Sequence, residues 1–312
     1  MRHVFIINPH AGKRDHTARI YQMADRLRKN HGLDCACLLT ARPGGGTELA
    51  RRLAEEGEEP VRVYACGGDG TVSEVAAGLA GCGHAAMTCI PVGTGNDFLK
   101  NFGPAAEKFS DAENLWDGPQ FPLDLIACGD RYCLTIACNG IDAQVAESVH
   151  RFGSSALLQG RGKYLASVAV NFLLRDLGHR WTVTLDGQVI EGEFALAAVC
   201  NGRHYGGGSV PVPEARMDDG LLQTILIRKV SKAAFARLFG AYSAGRAREF
   251  PEVARIVTAR EISIRGEEPF VTCLDGECFR STAVTFRLSG RRLNFFGPAG
   301  CDPNATARDP GL

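Results

Sequence analysis

Residues 61–75 read VRVYACGGDGTVSEV: an apolar, β-rich run, then Gly67-Gly68-Asp69-Gly70-Thr71, then the opening of a helical pattern. Glycines let a backbone approach a phosphate closely, and a helix N-terminus offers free N–H groups with a partial positive charge. A phosphate-binding turn is one reading of the stretch. A plain strand-to-helix turn capped by Asp69 is the other, and taken alone the motif does not choose between them. It is not the dinucleotide fingerprint, because a G-x-G-x-x-G register begun at Gly68 ends on Ser73. Gly12-Lys13 is followed by Arg14, so it is not a P-loop.

Working outward, Val4–Ile7, Cys35–Leu39, Val61–Cys66 and Met87–Val92 read as strands. His16–Asn30, Thr47–Glu56 and Thr71–Ala80 read as the helices between them. Such alternation predicts a parallel sheet with crossover helices, whose ligands bind beyond the carboxyl ends of the strands. Three further loops fall at that edge: Asn8-Pro9-His10-Ala11-Gly12-Lys13, the turn at Thr40, and Pro91-Val92-Gly93-Thr94-Gly95-Asn96-Asp97. Two glycine-rich loops at adjacent strand ends make one phosphate pocket, and Lys13 supplies an amine.

Past Pro122 the pattern becomes short runs, Leu123–Ala127, Tyr132–Ala137, Trp181–Leu185, Phe194–Cys200, Leu221–Leu226, Glu261–Ile264 and Ala283–Leu288, which predicts an antiparallel β domain. Asp186-Gly187 and Asp275-Gly276 mark hairpin turns. Helices are expected near Lys163–Leu174 and Lys232–Ala244. The reading is an α/β nucleotide-binding domain over residues 1–127 and a β-sandwich over 128–290. A C-terminal segment, 291–312, returns to the first domain and ends in a tail that looks disordered from Gly297.

The 312 residues carry 35 basic and 35 acidic side chains, which removes the overall positive field that nucleic-acid binding needs. The twelve cysteines include no C-x-x-C pair, so most are expected to be small buried hydrophobes in a reducing, cytoplasmic setting. Acid-free segments at Ser148–Arg175 and Leu221–Arg248 are candidates for transient contact with an anionic membrane surface. In the second, Phe235, Leu238, Phe239 and Tyr242 make one helix face; packing on the sandwich is the commoner use of such a face.

In order, NPHAGK, GGDGTVSEV, PVGTGNDF, then Asn139-Gly140-Ile141-Asp142-Ala143, Asn201-Gly202, Gly206-Gly207-Gly208, Pro213 to Leu221 and Leu274-Asp275-Gly276-Glu277 span nearly the whole chain. The set resembles the diacylglycerol kinase catalytic-domain family, which includes bacterial lipid kinases and sphingosine kinases. GGDGT is shared with NAD kinases; the GTGND, DDG and DGE elements point to the lipid branch. The resemblance implies transfer of the γ-phosphate of ATP to a lipid hydroxyl, with Mg²⁺. Diacylglycerol is the favoured acceptor; phosphatidylglycerol, a sphingoid base or another lipid alcohol is the alternative. NAD kinase and a non-catalytic lipid- or nucleotide-binding module rank lower.

The resemblance also implies roles. Asn8, Lys13, Thr40, Gly67, Gly68, Asp69, Gly70, Thr71, Val72, Ser73, Thr94 and Asn96 form the nucleotide site. Asp69 holds catalytic Mg²⁺ through water, Asp97 and Asp124 extend its acidic network, and Glu277 is the base. Asp219, with the backbone carbonyls of Arg216 and Leu221, would hold a second, structural Mg²⁺. Without the family, Asp275-Gly276-Glu277 and Asp218-Asp219-Gly220 read as ordinary solvated turns. Members of this family often form dimers through the sandwich.

Overall fold

In the computed structural model, residues 1–151 and 178–307 are described, and they divide into two compact units. The first holds Met1–Leu125 and Ser289–Thr306, the second Ile126–Leu288. The helix expected near Lys163–Leu174, with Arg161, Lys163 and Arg175, lies outside the described residues.

In the first unit, β1 (Arg2–Ile7), β2 (Asp34–Leu39), β3 (Val61–Gly67) and β4 (Ala85–Pro91) are parallel, joined by α1 (Thr17–His31), α2 (Gly45–Glu55) and α3 (Asp69–Leu79). Every residue of β3 is buried, as expected of a strand covered on both faces. α1 turns Ile20, Met23, Ala24 and Leu27 inward, and Gly32, at φ 67°, ends it. β5 (Gln120–Leu123) and β15 (Leu293–Phe296) complete the sheet in the order β2-β1-β3-β4-β15-β5. The connections change direction between β1 and β3, which makes a crevice at their carboxyl ends.

Arg62, buried on β3, fastens this unit. Its guanidinium donates to the carbonyls of Leu115, Trp116 and Gly118 and lies 4.5 Å from the Phe296 ring centroid. Gly297–Thr306 is placed rather than disordered: Thr306 Oγ1 donates to Lys100 O at 3.4 Å, and a Cβ on Gly103 would lie 3.3 Å from Ala305. Its Gly- and Pro-rich composition lacks a core of its own, but not a surface to lie on.

His3, beside Arg62 in the β1–β3 register, is 2% exposed and 2.9 Å from the Tyr64 hydroxyl. Burial first, then the Arg62 charge, lowers its pKa to about 4. A base with a depressed folded pKa stabilises the fold above the unfolded value of about 6.5 and loses that contribution as pH falls towards the folded one. Denaturant unfolding should therefore show stability declining between pH 6.5 and 4, by at most about 3 kcal/mol from this residue. The decline should shrink in His3→Gln; an unchanged slope would remove His3 from the account.

The second unit contains β6 (Ile126–Cys128), β7 (Arg131–Cys133), β8 (Ile136–Gly140), β9 (His179–Leu185), β10 (Gln188–Cys200), β11 (Leu222–Arg228), β12 (Ala254–Ala259), β13 (Glu261–Leu274) and β14 (Glu277–Leu288). α4 (Ile141–Arg151) follows β8, and α5 (Lys232–Ser243) follows β11. β8 and β9 lie end to end between the long strands β10 and β13. The chain leaves that slot at Gly140, where φ is 78° and a Cβ would sit 2.3 Å from Ala195 O, against the irregularity in β10. One buried cluster gathers α4, α5 and one face of the ladder; a second gathers Trp181, Phe194, Phe270 and Phe286. Phe235, Leu238 and Tyr242 of α5 join the first, with Phe239 packed against it, so this apolar face is taken up by the core.

Candidate active site

The first unit builds a backbone cradle at the crevice. Gly67 O accepts the N–H groups of Val92 and Gly93 at 3.0 and 3.1 Å, and Gly95 O accepts Asp69 N–H at 3.1 Å. The two loops touch main chain to main chain: a Cβ on Gly93 would lie 2.3 Å from Gly68 Cα, and one on Gly68 would lie 2.8 Å from Gly95 O. Asn8 Nδ2 donates to Thr71 Oγ1 at 3.1 Å, bridging the ends of β1 and β3 across the switch in strand order.

Gly70 differs from these. It is exposed on the first turn of α3, and a Cβ there would meet nothing within 4 Å. No contact within the unit explains a glycine at this position. Val72 N–H is the first to enter the helix ladder, on Gly68 O, and among the described residues no acceptor lies against the N–H of Gly70 or Thr71. Two free donors at a helix start beside open space are what an anion needs.

Asp69 fixes the second loop. Its Oδ2 accepts Asp97 N–H at 2.9 Å and its Oδ1 accepts Phe98 N–H at 3.1 Å. A carboxylate has about four lone-pair sites, so neither oxygen is saturated by these bonds. Asp97 is buried and pairs with Lys100 at 2.5 Å; Asp124 is buried and pairs with Arg292 at 2.8 Å. Asn96 donates to Gly93 O at 3.0 Å and braces its own loop. Thr40 is buried at the end of β2, its N–H on Ile7 O. Lys13 and Thr94 are exposed at the same sheet edge, Ser73 is half-buried, and Val72 points into the core.

In the second unit, Asp275 at φ 45° and Gly276 at φ 103° make the tight turn between β13 and β14, and the register pairs Leu274 with Glu277. Glu277, exposed, is the first residue of β14. Asp275, marked by the sequence only as a hairpin-turn residue, does more than turn the chain. Its carboxylate accepts the N–H groups of Leu134, Thr135 and Ile136 at 2.6, 3.0 and 3.0 Å, and its own N–H donates to Ile136 O. Asp186 repeats the device at φ 44°, holding the N–H groups of Arg260 and Glu261.

Asp219 and Gly220, at φ 72°, turn the loop before β11, and Asp219 Oδ1 accepts Leu221 N–H at 3.0 Å. Arg216 is half-buried on that loop. Asp142 is buried at the start of α4 and accepts hydrogen bonds from Tyr205 and, at 2.6 Å, from Tyr242; burial pushes its carboxyl up. All twelve cysteines are free thiols and most are buried, with burial pushing Cys66 and Cys89 beneath the cradle well above the usual thiol range. Among the described residues no three His, Cys, Asp or Glu side chains group as metal ligands, and no helix is long and apolar enough to cross a membrane.

Comparison with known proteins places this geometry. Residues 2–128 match the diacylglycerol kinase catalytic domain model, and residues 135–297 match the YegS C-terminal NAD kinase beta sandwich-like domain. A Pseudomonas aeruginosa (strain UCBPP-PA14) protein called "Probable lipid kinase YegS-like" is 31% identical, over 80% of this chain and 82% of its own. A protein of that name from Xanthomonas oryzae pv. oryzae (strain MAFF 311018) is 27% identical over 93% of this chain and 95% of its own. A diacylglycerol kinase structure from Bacillus anthracis str. Sterne shares the fold, with a TM-score of 0.68 and 22% identity over 95% of this chain and 96% of that one. With a mixed α/β first unit carrying the cradle and a β-sandwich-like second unit behind the family's DGE turn, the chain belongs to the diacylglycerol kinase catalytic-domain family as a YegS-like lipid kinase.

Proposed function

We propose that this lipid kinase phosphorylates the free hydroxyl of diacylglycerol, giving phosphatidic acid, at the cytoplasmic membrane surface. The observation that carries the phosphoryl-transfer reading is the cradle: two interlocked glycine loops, free N–H groups on Gly70 and Thr71, and open space over Gly70. The family model and the solved relative, both called diacylglycerol kinase, support the acceptor.

In this reading the Gly67–Thr71 and Gly93–Asp97 loops hold the ATP phosphates. Glu277 takes the proton of the lipid hydroxyl, whose oxygen forms the new bond to the γ-phosphorus while the bond to the β–γ bridging oxygen breaks and ADP leaves. Asp69 fits a Mg²⁺ held through water, because its carboxylate stands at the cradle, its own N–H on Gly95 O, and Mg²⁺ needs only one or two carboxylates beside waters and phosphates. The cation, when bound, neutralises charge on the transferring group. The Asp219 turn, with a carboxylate over backbone on one loop, suits a second hard cation.

The acceptor is tested with radiolabelled ATP, Mg²⁺ and mixed micelles carrying diacylglycerol, phosphatidylglycerol or sphingosine separately, with NAD as a soluble acceptor. Label in phosphatidic acid, lost in Glu277→Ala, is expected. Label confined to another lipid replaces the acceptor, and label only in NAD overturns the reading. The cradle has its own test. Gly70→Ala should leave the fold intact or stabilise it, since Ala is favoured over Gly in helices by about 1 kcal/mol. It should nevertheless weaken ATP binding at least about tenfold, because the methyl enters the space left for the ligand; unchanged ATP affinity would move the phosphates elsewhere.

A further inference from the structure

We infer that the second unit carries a binding groove for a single-chain anionic amphiphile, an alkyl chain ending in a phosphomonoester or carboxylate, where β10, β11 and β12 meet. The groove has a volume of about 570 Å³, within the range of small-molecule sites. The strand register explains its make-up. Phe194 lies opposite Arg228, Arg228 N–H donates to Val253 O, and Leu226 lies opposite Arg255. Directly opposed residues, and those two further along, share one face of a sheet. Phe194 and Leu226 belong to the unit's core, and Ile190, packed against that same core, carries its apolar layer into the groove.

Over that apolar floor stand two cations. Among the described residues no carboxylate lies within ion-pair distance of Arg228 or Arg255, whereas Arg248, also on the rim, is paired with Glu214. Arg228 extends over β10, its Nη1 3.9 Å from where a Cβ on Gly192 would be. Glu252 is the one acidic residue among the described residues of the lining. In a chain whose 35 basic and 35 acidic residues balance, two arginines without acidic partners among the described residues, beside an apolar layer, call for a ligand that is anionic at one end and apolar along its length. The guanidinium fork matches phosphate and carboxylate alike, which is why the headgroup is specified by its shared chemistry.

The groove is distinct from the DGE turn. Glu277, on β14 three strands across the sheet from β10, pairs with Leu274, which lies level with Ala137 of β8 and so with Val199 of β10. Phe194 is five residues back from Val199 along the strand, about 17 Å at 3.3 Å per residue. An amphiphile seated there would occupy an accessory site, leaving Glu277 clear for an acceptor.

The test is calorimetric titration of the full chain, without nucleotide, with dodecyl phosphate and dodecanoate below their micelle-forming concentrations, and with inorganic phosphate and dodecan-1-ol alongside. One saturable site for at least one of the two amphiphiles is expected, and which of them binds more tightly identifies the headgroup. Inorganic phosphate and dodecan-1-ol should each bind at least about tenfold more weakly. The double variant Arg228→Ala/Arg255→Ala, both positions being exposed, should lower amphiphile affinity at least about tenfold with its melting temperature retained; Ile190→Asp should weaken it through the apolar floor instead. Three results overturn the inference: no saturable amphiphile binding, undiminished binding by the double variant, or inorganic phosphate binding as tightly as dodecyl phosphate. No step depends on kinase activity, so failure here is separable from failure of the proposed reaction.

Discussion

Asp69→Asn is expected to lower the rate of lipid phosphorylation by about two to three orders of magnitude, the loss of about 3–4 kcal/mol of transition-state stabilisation. Two effects combine. The charge disappears from beside the cradle where phosphate charge must be neutralised. The amide also has a single acceptor oxygen, so of the N–H groups of Asp97 and Phe98, now each on one carboxylate oxygen, one would face an NH₂ donor. Steady-state kinetics across a Mg²⁺ titration separates the two. If Asp69 acts through its charge, the variant needs more Mg²⁺ to reach its maximal rate. If it only clamps the 93–97 loop, KM for ATP rises while the Mg²⁺ dependence stays where it was, and the assigned role fails.

The cradle was legible because each of its parts leaves a local mark. Buried parallel strands are continuous apolar runs, and glycines stand where main chain meets main chain, as Gly68 and Gly93 do. What was not legible is long-range. Leu123–Ala127 reads as one strand, yet Leu123 closes β5 in the first unit and Ile126 opens β6 in the second, with Asp124 held by Arg292 at the change. Asp124 apart, the run stays apolar across the junction because residues on both sides are buried, and one acidic residue does not announce a change of unit. The outer halves of β10 and β14 carry no strand signal because polar, exposed residues alternate through them; in β13 the strand pattern breaks off after Ile264 at the polar stretch 265–269, which hides the buried residues 270–274 beyond it. α4 begins directly on Gly140, with no capping residue before it to announce a helix. Asp275 reads only as a turn residue for a related reason: Asp-Gly is a sufficient local explanation of a hairpin. The three N–H groups that its carboxylate holds come from Leu134, Thr135 and Ile136, far back in the chain.

That difference between Asp275 and its neighbour gives the last expected result. Glu277→Gln should lower turnover by about 10²–10⁴-fold, the range for removing a general base, with the melting temperature unchanged. The carboxylate is exposed, and among the described residues nothing is hydrogen-bonded to it, so its removal touches no packing and exposed substitutions of this kind stay within about 0.5 kcal/mol. Asp275→Ala should behave otherwise. It deletes the acceptor for three backbone N–H groups and puts a Cβ without a hydrogen-bonding side chain at φ 45°, which together destabilise by about 3–5 kcal/mol. Turnover should fall with the melting temperature, because the strand start that carries Glu277 is held in place by this turn and not by contacts of Glu277 itself. The informative comparison is therefore thermal unfolding beside single-turnover rates for both variants. A Glu277→Gln enzyme that keeps its rate would require another base, and one that loses stability as Asp275→Ala does would make Glu277 part of the turn and leave the proton without an acceptor.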